Sequence, residues 1–359
     1  MECNEEKFKT LETNIQKLNS SIDTILNKEN LITSENISDL KKFQEHLTNK
    51  YQNTVSVVKS EIIDEFHEKN DIKYLIKYLK IDNTKNKPIL INKKEFVDPF
   101  APPLKEDMVV EEDFFNLGEH RLLFTKFPLF KEQVLLVSRD FKSQYSHLTF
   151  ENFRDVLILI NSFNGCGFFN GGMKAGASQP RKHLQAFPYK SFPNGNNDFG
   201  IFKYIKNDEH LIKLNEIKKI GEFFEIKILK NENIEHILFK FSEEFSKLLK
   251  DNKKANITGE VCLKLYEICA EFLGLFVFDE KGKKTEKIEK DFSFLITDEF
   301  MFICKRKEHD VFITEKDKES NDIINLNSLA FFFIIVSRSP HQIQELKDGN
   351  IVHDVLSKL

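Results

Sequence analysis

Tryptophan is missing from the chain, and methionine (4), cysteine (5), proline (9) and glycine (13) are sparse among its 359 residues. Without Trp, aromatic burial falls to 36 Phe and 7 Tyr, and Phe brings no polar handle that must find a partner. The cysteines, Cys3, Cys166, Cys262, Cys269 and Cys304, are odd in number and none forms a CxxC pair. That disfavours a disulfide framework or a structural zinc site and points to reduced thiols. No long apolar run is present: the longest, Leu329 to Val336, is too short to span a bilayer. No charge sign dominates either. With 53 basic and 57 acidic residues the formal net charge is −4, which disfavours extended non-specific nucleic-acid binding while leaving room for a local basic pocket. The first residues, MECNEEKFK, lack the apolar stretch of a signal peptide. The expectation is a soluble cytoplasmic protein with neither membrane nor nucleic acid as partner.

A hydrophobic content of 40% is enough for a sizeable core, arranged as one large domain or two smaller ones. Leu11, Ile15, Leu18, Ile22 and Ile25 recur every three or four residues and predict an amphipathic helix, with a weaker pattern from Ile32 to Leu47. Residues 1–70 are thus expected to be an N-terminal helical extension. From Asp71 the pattern changes. Lys87 to Asn92 predicts a strand, Asp98 to Pro103 a rigid extended turn, and Arg121–Phe127 and Gln133–Arg139 two apolar strands. Thr149 is placed to cap a helix with Phe153, Val156 and Ile160 on one face. Asn164–Asn170 and Lys182–Phe187 read as strands. Beyond a loop at Asn194–Asp198, the stripe Val261, Leu265, Ile268, Phe272 predicts a helix ended by Gly274. Asp279–Lys290 reads as a charged loop, Phe292–Ile296 and Met301–Cys304 as paired strands, and residues 325–358 as helical with a break at Ser339-Pro340. Short strands mixed with helices, without regular strand–helix alternation, predict an α+β fold on an antiparallel sheet.

The chemistry concentrates between Phe169 and Gln185, FNGGMKAGASQPRKHLQ. Glycine-rich backbone can approach phosphate closely and cradle it with free N–H groups. A histidine just after such a loop can attack what the loop holds. On a strand over 181–187, Arg181, His183 and Gln185 share one face and Lys182 and Leu184 the other. A neutral imidazole with one nitrogen held by a hydrogen bond has the other available as nucleophile. The Gly176–Gln179 amides, the Ser178 hydroxyl and Gln185 would meet charge on the transferring group. Gln185 donates and accepts hydrogen bonds but does not titrate, so it favours transfer to an acceptor over activation of water. Taken alone, a His on a half-buried strand is usually structural and a Gly/Ser cluster usually a turn.

The segment resembles the active-site signature of the ATP adenylyltransferases, or diadenosine tetraphosphate phosphorylases, which are similar to the histidine-triad and galactose-1-phosphate uridylyltransferase group. Asn170, Gly172, Gly176, Ala177, Ser178, Gln179, Pro180, Lys182, His183 and Gln185 match the family pattern. Lys87-Pro88, Pro99 to Pro103, Thr125-Lys126-Phe127-Pro128 (with Thr125 in place of the family's Asn), the stretch Gln133 to Gln144, Phe294 to Met301, Lys305-Arg306 and Asn327 to Phe331 resemble further elements of it. The resemblance covers roughly residues 70–359. It implies a histidine-triad-like catalytic half over 71–200 and a second half over 201–359 completing the nucleotide pocket, and it leaves a decayed two-half duplication open.

Carried over by this resemblance, His183 is the nucleophile and Gln185 its catalytic neighbour. Lys87, Thr125, Lys126, Asn170, Gly176, Ala177, Ser178, Gln179, Arg181, Leu295, Ile296, Thr297, Met301 and Arg306 contact substrate. The implied reaction is phosphorolysis of diadenosine tetraphosphate to ATP and ADP, reversible, through an adenylyl-histidine. Its partners are small molecules: the dinucleotide, ATP, ADP and phosphate. No covalent cofactor or dedicated metal site is expected, and a magnesium or manganese ion is admitted only with the polyphosphate. Two alternatives stand beside it. One is a related nucleotidyltransferase using sulfate or a sugar phosphate as acceptor. The other is a nucleotide-binding scaffold with weakened catalysis that docks a partner through its N-terminal helices. Arg181 departs from the family's His; as a cation on the face of His183 it is expected to lower the imidazole pKa.

Overall fold

The computed structural model describes residues 5–27, 32, 40–58, 62–69, 72–79, 98–193, 200–202, 211–212, 224–229, 235–307, 310–311, 324–337 and 339–348. In chain order the helices are α1 (Glu5–Leu26), α2 (Leu40–Asn53), α3 (Phe150–Phe163), α4 (Glu243–Leu249), α5 (Ala255–Phe272) and α6 (Pro340–Asp348). The strands are β1 (Ile62–Lys69), β2 (Ile72–Leu79), β3 (Val109–Glu111), β4 (His120–Phe124), β5 (Val134–Ser138), β6 (Gly165–Gly171), β7 (His183–Pro188), β8 (Leu211–Ile212) and β9 (Phe224–Leu229). They continue with β10 (His236–Phe241), β11 (Phe276–Phe278), β12 (Lys284–Ile288), β13 (Phe292–Ile296), β14 (Phe300–Lys305), β15 (Asp310–Val311), β16 (Ile324–Asn325) and β17 (Ile334–Ser337).

Ten strands form one sheet in the order β3-β4-β5-β7-β6-β13-β14-β10-β9-β8, and every neighbouring pair is antiparallel. The order is that of two equivalent units meeting at β6 and β13. In each unit a hairpin (β4-β5; β9-β10) is followed by helix (α3; α4 and α5) and a second hairpin (β6-β7; β13-β14) whose last strand pairs with the first hairpin. One strand order thus recurs along the sheet. The units differ where it matters chemically. β6 leads to β7 through eleven residues containing the glycines, whereas β13 turns into β14 through three, the tight turn being closed by the Thr297 hydroxyl, which accepts from the Glu299 and Phe300 amides, each at 3.0 Å.

Period-two alternation gives the sheet two buried faces. Leu122, Leu136, Leu184, Ile296, Met301 and Ile303 face the helices, in a core shared with the α3 residues Phe153, Val156 and Ile160, with Val261 and Leu265 of α5, and with the α1 stripe Leu11, Ile15, Leu18, Ile22 and Ile25. The first helix therefore packs on the main body. Phe168, Phe187, Leu295, Phe302 and Cys304 face the other way, against residues 329–335 and Leu75 and Ile76 of a small β1-β2-β17 sheet.

Three segments differ from expectation. Residues 62–69, assigned to the helical extension, form β1, an edge strand whose charged alternation (IIDEFHEK) hid it. The loop expected over 279–290 contains β12, which closes a hairpin with β11. Among the described residues of 325–358, the helical reading holds only for a short 3-10 turn at Ser328–Phe332 and for α6; between them Phe333 adopts φ 62° and β17 runs parallel to β2. The predicted strand at Lys87–Asn92 and the loop at Asn194–Asp198 lie outside the described residues.

Candidate active site

Past Gly171 the chain leaves the sheet at Gly172 and turns again at Gly176, with φ +98° and +90°. Both values belong to the region that glycine adopts freely and other residues rarely. At Gly172 there is no room in any case, since an added Cβ would lie 2.4 Å from the Asp291 carboxyl carbon. Asp291 accepts from the Lys174 amide at 2.6 Å and the Tyr145 hydroxyl accepts from the Met173 amide at 3.1 Å, so residues from both halves fasten the loop. The loop's own amides are divided. Those of Gly176 and Ala177 donate to the carbonyls of Met173 and Gly172 at 2.9 and 3.0 Å. Of the four amides expected to cradle phosphate, only those of Ser178 and Gln179 have no acceptor among the described residues. Ser178 is exposed and Gln179 half-buried.

His183 opens β7, its side chain 4% exposed. Its Nδ1 lies 2.9 Å from the Arg181 carbonyl oxygen. A carbonyl only accepts, so Nδ1 carries the proton and the lone pair sits on Nε2. No described residue hydrogen-bonds Nε2. Burial holds the imidazole pKa below its ordinary 6.5, opposed by the hydrogen bond to the Arg181 carbonyl and by the Asp98 charge. The expected role of Arg181 in that shift is thus corrected. Burial lowers the value, and the guanidinium is paired elsewhere, its Nε donating to Asp98 Oδ2 at 2.7 Å. The Phe100 ring packs 5.1 Å from the imidazole.

Where β6 and β7 separate, Gln144 bridges them. It is fully buried; its Oε1 accepts from the His183 amide at 2.9 Å, and its Nε2 donates to the Asn170 carbonyl at 2.8 Å. Asn170 shares the face of His183. Its Oδ1 accepts from the Ser328 amide at 3.0 Å, leaving Nδ2 without an acceptor among the described residues. Gln185 is fixed in the same way: its Oε1 accepts from Gln133 Nε2 at 3.0 Å, so what it presents outward is the NH2 donor. Gln144 and Gln133 lay inside a matched stretch of sequence, but nothing local marked them as supports. Lys126 is exposed, its Nζ 5.2 Å from the Phe127 ring centroid, and Thr125 is half-buried, its amide donating to the Gln133 carbonyl. Lys87 lies outside the described residues.

The C-terminal candidates separate. Leu295 is on the face of His183 but packed in the apolar cluster there. Ile296 and Met301 point to the helix side, and Thr297 closes the β13–β14 turn. Strand alternation and a tight turn place these four among core and turn residues. Arg306 is buried. Its guanidinium donates to Ser293 Oγ at 3.0 Å and to the Leu326 carbonyl at 2.7 Å, and Ser293 stands opposite Asn170 in the sheet. Burial lowers its pKa to about 10.

Beneath the histidine strand, on the helix side, lies a buried polar group of residues. Lys182 Nζ donates to the His147 carbonyl and, at 3.4 Å, to Asn152 Oδ1. Asn152 contacts His120 at 2.9 Å, and His120 pairs with Asp155 at 2.6 Å. Burial and the Lys142 charge lower Lys182 to about 7; burial, with the Lys284 and Lys182 charges, lowers His147 to about 4. No group of three or more His, Cys, Asp or Glu side chains among the described residues could hold a metal ion. No helix among them is long and apolar enough to cross a membrane.

A doubled antiparallel sheet with a glycine-rich loop feeding a histidine strand defines the class of fold. Family models refine this: Ap4A phosphorylase N-terminal domain matches residues 19–205 and ATP adenylyltransferase C-terminal domain matches residues 230–359. The chain belongs to the Ap4A phosphorylase family, Ap4A being diadenosine tetraphosphate. A curated relative, diadenosine 5',5'''-P1,P4-tetraphosphate phosphorylase 2 of Saccharomyces cerevisiae, is 39% identical over 109 residues, a match spanning 27% of this chain and 33% of the relative. The crystal structure of yeast Ap4A phosphorylase Apa2 shares the fold at 20% identity and TM-score 0.61, covering 88% of this chain and 96% of that one. The structure of Apa2 in complex with Ap4A aligns at 19% identity and TM-score 0.60, covering 88% and 95%.

Proposed function

We propose that the protein is a nucleotidyltransferase that cleaves diadenosine tetraphosphate with inorganic phosphate to ATP and ADP, reversibly, through an adenylyl group carried on His183. The observation that supports this most directly is the state of the imidazole: Nδ1–H is committed to the Arg181 carbonyl, and Nε2 has no partner among the described residues. Nε2 attacks the α-phosphorus; the N–P bond forms as the P–O bond to ATP breaks. An oxygen of phosphate then attacks the same phosphorus, the N–P bond breaks, and ADP leaves. Splitting the transfer lowers each barrier. The Ser178 and Gln179 amides, the Gln185 NH2 and Asn170 Nδ2 are donors available to the phosphate oxygens, fixed in advance by the bonds described above. Gln185 has no proton to give a leaving group, consistent with departure of an already ionised phosphate. Lys126, and Lys87 on family resemblance, supply positive charge. A divalent cation arriving with the polyphosphate takes its ligands from the phosphates. The described cysteines, Cys166, Cys262, Cys269 and Cys304, are buried free thiols, which supports a cytoplasmic site.

The test is incubation with Ap4A labelled in the adenosine, phosphate omitted. An acid-labile adduct mapping to position 183, discharged as ADP when phosphate is added and missing from His183→Ala, is the expected result. Faster discharge by sulfate or a sugar phosphate would reassign the acceptor. Tight nucleotide binding with no adduct, unaltered in His183→Ala, would overturn the reading.

A further inference from the structure

We propose that Arg181 and Asp98 form a latch that holds Phe100 against the ring of His183, so that Arg181 is a positioning residue and not a phosphate ligand. The guanidinium is held at three points: Nε donates to Asp98 Oδ2 at 2.7 Å, and Nη1 to the carbonyls of Ser138 and Arg139 at 3.2 and 2.9 Å. The two carbonyls tie it to the end of β5, the strand paired with β7. Asp98 uses its other oxygen to accept from the Phe100 amide at 3.0 Å, and its carbonyl accepts from the Ala101 amide at 3.2 Å. One carboxylate thus both grips the arginine and closes the turn that carries Phe100. The Phe100 ring then rests 5.1 Å from the imidazole, tilted 57°, and beds on the apolar strip of Val109, Leu123, Leu135 and Val137. Arg181 is 94% buried by these contacts, its residual exposure being 6%.

A histidine at position 181 could not do this. A neutral imidazole has one N–H to donate, and the latch takes three N–H···O contacts from one planar group. Arg181, a departure from the family signature, is therefore matched by a carboxylate 83 residues upstream. Its consequence is local: an aromatic wall excludes water from one side of the nucleophile and limits how its ring can turn.

The proposal rests on His183 being the adenylyl acceptor, but the latch can be read without turnover. Acylation of the intact protein by diethyl pyrocarbonate, followed at the peptide containing residue 183, reports access to that imidazole. Arg181→Ala, Asp98→Ala and Phe100→Ala should each accelerate modification at 183 by about tenfold, the scale expected when a hydrogen bond to a charged group is lost. Arg181→Ala combined with Phe100→Ala should be no faster than either alone, and Phe100→Leu should stay near wild type. In phosphorolysis, the same three alanine variants should lose kcat with little change in KM. Arg181→Lys, which keeps the charge but not the fork, should fall between. Thermal unfolding of each variant identifies any that do not fold, for which Phe100→Leu and Arg181→Lys carry the comparison. Wild-type acylation rates in all three variants, or additive effects in the double variant, would overturn the latch. Accelerated acylation in a protein that forms no adenylyl adduct would keep the latch and remove the functional reading.

Discussion

The Ser328 amide donates to Asn170 Oδ1 across 3.0 Å, and the Ser328 hydroxyl to the Phe169 carbonyl at 2.9 Å. A residue of the C-terminal half thereby decides which way the Asn170 amide faces. Asn170→Ala leaves a buried N–H unpaired and should cost about 1–3 kcal/mol of stability. Asn170→Asp keeps the acceptor, so unfolding should shift little, but it turns a donor into a negative charge and should weaken Ap4A binding by at least about tenfold. Denaturant unfolding and calorimetric titration separate the two effects.

Gln185→Glu isolates the outward donor. A carboxylate still accepts from Gln133, so the fold should be unaffected. With the NH2 removed, kcat should fall by about 10²-fold, the scale for one lost donor to a developing oxyanion. Retained turnover would show that Gln185 does not face the phosphates.

Stability should rise with pH between about 7 and 8, and Lys182 is the reason. Its folded value is lowered to about 7 from an ordinary 10.5, so across that window the unfolded chain binds a proton that the folded chain does not, and alkalinity favours folding by up to about 1.4 kcal/mol per pH unit. Above about pH 8 the buried cysteines reverse the trend: Cys304 is pushed up to about 12 by burial, and Cys166, Cys262 and Cys269 are raised as well, so only the unfolded thiols ionise there. In Lys182→Met, which is nearly volume-conserving, the slope between pH 7 and 8 should flatten. Unfolding curves at half-unit intervals measure it.

Two glycines at positive φ give a matched comparison. Gly118→Ala (φ +85°, open space around the added carbon) should cost roughly 1 kcal/mol, the scale of the left-handed penalty alone, and leave turnover intact. Gly172→Ala (φ +98°) meets Asp291 and should displace the loop, with kcat falling well beyond what its melting temperature explains.

Much of the frame was legible because its signals are local. The stripe Leu11 to Ile25 and the stripe Val261 to Phe272 became α1 and α5, and the apolar runs at 121–127 and 133–139 became β4 and β5. The run FFFIIVS was ambiguous, since short buried helix and strand share composition, and the left-handed turn at Phe333 decided it. The strands β1 and β12 were hidden by charge: each lies on a sheet edge, where little burial is demanded. At the site, residues 170–185 carried a readable pattern. Their supports did not: Gln144, Gln133 and Asp98 act on residues 39, 52 and 83 positions away, and no local spacing signals such partnerships.

The two units of the sheet share one strand order, yet only β6–β7 keeps the long glycine loop; β13–β14 has a three-residue turn in its place. On the proposed mechanism the doubled scaffold carries a single reaction centre, which sets a stoichiometric ceiling. However much labelled dinucleotide is supplied, the pre-steady-state burst should saturate at one equivalent of adenylyl group per polypeptide.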